Sequence, residues 1–149
     1  MYGPHTVTLY TLIEDEETAD VSYNITILKG VMLQASTSTG ITAKGASEAD
    51  NVRLFIPFDC HAYGAETRQY KRFVKPKEFI SLDDKTGVWT LITGGESSQA
   101  DCFFIKGEVI DTNGYKYIRE HYDDVYDVAG VNIYDYGSKG MQHFEVTGK

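Results

Sequence analysis

Several groupings of residues in this chain could do chemistry, and each can be weighed by its spacing. Gly94-Gly95-Glu96-Ser97-Ser98 is the nearest approach to a glycine-rich phosphate cradle. A Walker-type loop needs a Gly-Lys-Ser/Thr ending, whose lysine reaches the phosphates. That ending is missing, so the segment reads as a connection between strands. Asp59-Cys60-His61 sets three metal-ligating residue types side by side. Successive residues of a strand point to opposite faces and cannot converge on one ion. No second cluster of matching spacing supplies further ligands, and no metal or other cofactor is expected. Asp111-Thr112-Asn113-Gly114 resembles the opening of a calcium loop, whose template wants Gly sixth and Glu twelfth. Those places hold Lys116 and Tyr122. Asp123, Asp124 and Asp127 read as a solvated turn.

A nucleophile system could be assembled on paper from Cys60, Cys102, His61, His121, His143 and many carboxylates, and that freedom of choice is the argument against it. No Ser or Cys stands in a strand-turn-helix elbow. The single Trp is fewer than expected for an enzyme that stacks sugars. No catalytic residue is assigned, and the chain reads as non-enzymatic. Cys60 and Cys102 form no C-x-x-C and allow one bridge at most, so both read as reduced packing residues.

The elements that would position these residues are mostly strands. With 149 residues, 42% hydrophobic and 3 Pro, the chain fits one domain spanning residues 1–149. Eleven Tyr, seven Phe and many Val, Ile and Thr favour half-buried pleated surfaces. Period-2 alternation marks strands at 6–12, at 23–33 with a break at Lys29-Gly30, and at 51–58, 88–92, 102–110, 125–134 and 142–147. Tyr115, Ile118 and Tyr122 share helical spacing, which predicts one short helix. The expected fold is mainly β, a small barrel or sandwich with at most one short helix and flexible loops at about 36–48 and 62–72. No segment has the apolar length of a spanning helix, and the first residues lack the charged and apolar regions of a secretory signal, so synthesis in a cytoplasm and no membrane partner are expected. A formal charge of −8 excludes a basic, sequence-specific nucleic-acid groove.

Taken in order, much of the chain resembles small tailed-phage minor capsid and head–tail connector proteins. The resemblance runs through His5–Tyr10, Tyr23–Val31, Val52–Phe58, Phe73–Phe79, Gly87–Leu91, Phe104–Glu108, Tyr122–Val125, Asp135–Ser138 and Met141–Val146. It implies a non-enzymatic, β-barrel-like protein of the virion. Such a protein is assembled in the bacterial host cytoplasm as a homo-oligomeric ring that meets a portal or adaptor protein above and tail proteins below. Interface candidates follow from charge and loop placement. Glu14, Glu16 and Glu17 form an acidic tip, Thr39 and Lys44 lie in the Ser/Thr/Gly-rich segment, and Arg68, Lys71 and Arg72 form a cationic edge for a neighbour's tip. In a ring, the acidic runs 14–20 and 123–127 are expected to face the DNA conduit. The alternative class is a soluble β-sandwich module that binds carbohydrate or peptide through exposed Tyr.

Overall fold

The computed structural model describes residues 3–15, 17–18, 20–37, 50–96 and 99–149. Its framework is a closed antiparallel barrel of β1 (His5–Glu14), β2 (Val21–Thr37), β3 (Asp50–Pro57), β9 (Cys102–Lys106), β10 (Val125–Tyr134) and β11 (His143–Gly148). The strands run in the order β1-β9-β10-β11-β3-β2, and β2 returns to pair with β1. A short strand, β4 (His61–Gly64), follows β3 along β2, with Met32 opposite Phe55 and Lys29 opposite His61. The smaller pieces are β5 (Arg72–Phe73), α1 (Pro76–Ser81), β6 (Val88–Trp89), β7 (Gly95–Glu96), β8 (Gln99–Ala100) and α2 (Tyr115–His121).

Two long strands, β2 and β10, turn the barrel's corners. Along β2 the register skips Gly30, because His5 faces Val31 and Thr6 faces Lys29, and Gly30 takes a φ of 89°. A bulge with a glycine in the left-handed region bends a strand and sharpens its twist. Along β10 the partner changes from β9 to β11 after Asp127, and the register then skips Ala129. The expected break at Lys29-Gly30 is therefore a bulge within one continuous strand.

The alternation in β1 has both faces buried, for different reasons. Val7 and Leu9 enter the barrel core with Leu28, Leu54, Ile56, Phe104, Phe144 and Val146. Tyr10 faces outward into a second core with Phe103, Ile105, Tyr115 and Ile118, under α2. A third, smaller cluster of Val74, Phe79 and Val88 seats α1.

Four segments differ from expectation, the first being the strand expected over 102–110, which ends at Lys106. Residues 88–92 are mostly not a ladder strand. Only Val88 and Trp89 pair, in parallel with β5, while Trp89 and Leu91 insert into the barrel core. Alternation reports burial on one side, and a strand-like plug satisfies it as well as a stave does. The expected loop 62–72 opens with β4 and closes on itself through a Tyr63–Tyr70 bridge and the Lys71 N–H bond to the Ala62 carbonyl. The expected loop 36–48 begins inside β2, which reaches Thr37, and its remainder lies outside the described residues.

Candidate functional site

At one end of the barrel the turn after β3, the β10–β11 connection and the segment carrying β5 leave a cleft of about 330 Å³. Its floor is a set of rings. Phe144 lies 4.5 Å from Phe73 and 4.7 Å from Phe58, and Phe73 lies 5.0 Å from Trp89 at 71°. The Phe73–Trp89 pair is edge-on, a favoured arrangement for aromatic rings, and the two Phe144 pairs are tilted at 43° and 44°. Cys60, Ala62, Tyr70 and Ile133 add apolar wall, and Lys71, Lys75 and Asp135 supply polar groups. Lys75 and Asp135 are exposed, and neither forms an ion pair among the described residues. A shallower cleft along Asp59, His61, Tyr63 and Arg68 adjoins it and shares Phe58, Cys60, Ala62 and Tyr70.

Lys71 does not form the expected exposed cationic edge. It is 4% exposed, and its ammonium donates to Asn24 Oδ1 at 3.1 Å, the Ile25 carbonyl at 3.2 Å and Thr26 Oγ1 at 3.1 Å. Burial lowers its pKa to about 8. Following Tyr70 and preceding β5, it ties the 65–71 excursion to β2, a role that the run of basic residues conceals. Arg68 and Arg72 are exposed but already face carboxylates, Glu108 at 3.4 Å and Glu78 at 3.4 Å. Arg68 also lies over the Tyr63 ring at 4.7 Å, and the Tyr63 hydroxyl donates to Glu108, which helps hold that carboxyl below its usual range. Glu14 and Glu17 are exposed at the β1–β2 tip, where the Asp15 carboxylate accepts the Glu17 N–H at 2.9 Å. Glu16, Thr39 and Lys44 lie outside the described residues.

The other candidate groupings stay apart. Cys60 is buried, while Asp59 and His61 on either side of it are exposed. No group of three or more His, Cys, Asp or Glu suited to a metal occurs among the described residues. Burial pushes the Cys60 thiol up to about 12 and the Cys102 thiol up to about 11, so neither is a thiolate at neutral pH. His121 and His143 turn Nδ1 toward backbone carbonyls, Tyr117 at 2.9 Å and Met141 at 2.8 Å, rather than toward a carboxylate. The Tyr115 hydroxyl donates its one proton to the Asp127 carboxylate, whose oxygens lie 2.8 and 2.9 Å away, and Asp127 lies 3.7 Å from Arg119.

The cleft's lining escaped sequence reasoning because its residues are ordinary core types scattered from Phe58 to Phe144. The lone Trp was the one available signal.

The family of unknown function DUF6751 matches residues 2–149, and the chain belongs to it. Comparison with curated proteins and with solved structures finds no match.

Proposed function

We propose that this DUF6751 protein is a non-enzymatic structural component of a phage virion. In this reading it acts at the head–tail junction, as a minor capsid or head-closure connector that works by ring assembly and protein–protein contact. The observation that carries the reading is the apolar rim at the cleft end of the barrel. Phe58, Tyr70, Ile133, Tyr136 and Met141 are all exposed, and Tyr136 is 68% and Met141 66% exposed. They belong to neighbouring segments, since the Phe58 N–H bonds to the Gln142 carbonyl and Ile133 lines the cleft with Tyr70. Clustered exposed apolar side chains mark surfaces that meet another protein.

Two further points support it. A β-barrel is the fold that the connector resemblance implies, and six antiparallel strands close here. A subunit of charge −8, repeated around a ring, repels a passing duplex rather than gripping it, as a conduit requires. The partners would be a portal or adaptor protein, tail proteins and further copies of the chain. Cryo-EM of virions, with an antibody or tag on this chain, tests the reading. Density for a ring of the barrel at the neck is expected, and virions whose neck lacks the protein would overturn it.

A further inference from the structure

The cleft shares Phe58, Tyr70 and Ile133 with the rim, but it is concave and floored by rings. We propose that it is a receptor for one aromatic side chain of a partner protein, carried on a segment with an acidic residue on one side of that aromatic and a basic residue on the other. Volume is the first ground. Roughly 150 Å³ of apolar cavity is enough to hold benzene, so about 330 Å³ takes an aromatic side chain and part of its backbone. The floor is the second ground. Phe58, Phe73 and Phe144 line it together with Trp89, which is only 3% exposed, so an entering ring meets aromatic surface.

Charge completes the specification. Lys71 has all three donors committed to Asn24, Ile25 and Thr26, which leaves Lys75 and Asp135 as the lining charges without an ion pair among the described residues. Both are exposed, so water solvates them in the free chain; a purely apolar occupant gains from neither, and an occupant of one sign gains from one. Opposite charges flanking the aromatic answer both. A protein segment fits better than a small molecule because Tyr136 and Met141 lie exposed on the neighbouring connection, where a ligand confined to the cleft would not cover them. The inference stands on the cleft alone, so absence from the neck would leave it intact.

The test is a titration of the full chain with N-acetyl-Glu-Phe-Lys-amide. Fluorescence of Trp89, the chain's single Trp, gives one readout, and amide shifts of Phe58, Phe73, Ile133 and Phe144 give the other. Saturable changes confined to those residues are expected, with none from the peptide carrying Ala in place of Phe. Lys75→Ala and Asp135→Ala lie at exposed positions that leave the fold intact, and each should weaken binding about fivefold. No saturable change, an equal response to the Ala peptide, or indifference to both substitutions would overturn the proposal. So would free p-cresol binding as tightly as the peptide, which would make the cleft a small-molecule site.

Discussion

Lys71 satisfies its ammonium with three neutral oxygens and has no ion pair among the described residues. Its charged form is therefore disfavoured in the folded chain, with a pKa near 8 against 10.5 for an open lysine. Between those values the unfolded chain holds more protons, so this group makes stability rise with pH through the window and leaves it flat below. Cys60 and Cys102, and above them Tyr10 and Tyr115, are raised by burial and act in the opposite sense from about pH 9 upward. The Lys71 contribution is isolated by comparing urea unfolding of the native chain with Lys71→Met at pH 7.5 and 9.5. The native chain should gain about 2 kcal/mol relative to the variant over that interval; a constant difference would mean the ammonium is not held in this environment. The tyrosines are the second residue-scale device. Tyr23 receives the Tyr115 N–H at 3.1 Å and donates to Gln99 at 2.9 Å, and Tyr10 donates to the Asp111 carbonyl at 2.8 Å. Many of the Tyr that stood out in the composition thus act as clasps between β1, β2 and the segments over them. Tyr115→Phe removes the charge-assisted bond to Asp127 while keeping the ring on Phe103. A loss of about 1.5–2 kcal/mol in chemical unfolding is expected, whereas an unchanged midpoint would show the pair to be solvated rather than structural.

Among the elements, the staves of the barrel were legible and its plug and tether were not. β1, β2, β3, β10 and β11 were marked by alternation because one face of each fills the barrel. α2 was marked by Tyr115 and Ile118, which pack on the outer face of the sheet. Alternation says which side is buried but not whether the backbone has neighbours, so 88–92 read as a stave although Trp89 and Leu91 only enter the core. Polarity says that a residue prefers water but not whether the fold offers other acceptors, so Lys71 read as surface. The cleft was invisible for a related reason, since barrel closure brings Phe58, Phe73 and Phe144 together across long stretches of chain. The two corners are where an element-scale prediction belongs. Gly30 takes a φ of 89° at the bulge, and a Cβ there costs about 1–2 kcal/mol. Gly30→Ala should lower the melting midpoint by roughly 3–8 °C. Gly87→Ala, which places a Cβ in open space without a positive φ, should leave it near the native value or slightly above. Equal effects at the two glycines would mean that the corner is not strained by a side chain.

At the scale of the whole molecule, the −8 charge is not spread evenly, and its placement decides how copies can meet. The acidic tip after Glu14 and the run beginning at Asp123 lie toward opposite ends of β1. Lys106, whose N–H bonds to the Asp124 carbonyl, pairs with Val7, seven residues before Glu14. At about 3.4 Å per residue that is roughly 24 Å, so in the proposed ring the two runs share one conduit only if its axis lies near the direction of β1. They also differ in how far their charge is answered. Asp127 is bound by Tyr115 and Arg119, and Asp124 accepts from the Tyr126 hydroxyl at 3.2 Å. Glu14, Glu17 and Asp20 are exposed, with no ion pair among the described residues. Repulsion between copies should therefore come mainly from the tips, and it should be strong where the Debye length is about 30 Å, near 0.01 M salt, and weak near 8 Å at 0.15 M. If copies assemble as proposed, sedimentation of the purified chain should accordingly show more oligomer at the higher salt. The variant Glu14→Gln, Glu17→Gln, Asp20→Asn should restore assembly at the lower salt, and Asp123→Asn with Asp124→Asn should do so far less. If neither set shifts the salt dependence, the tips do not face one another between copies, and the proposed conduit is not lined by them.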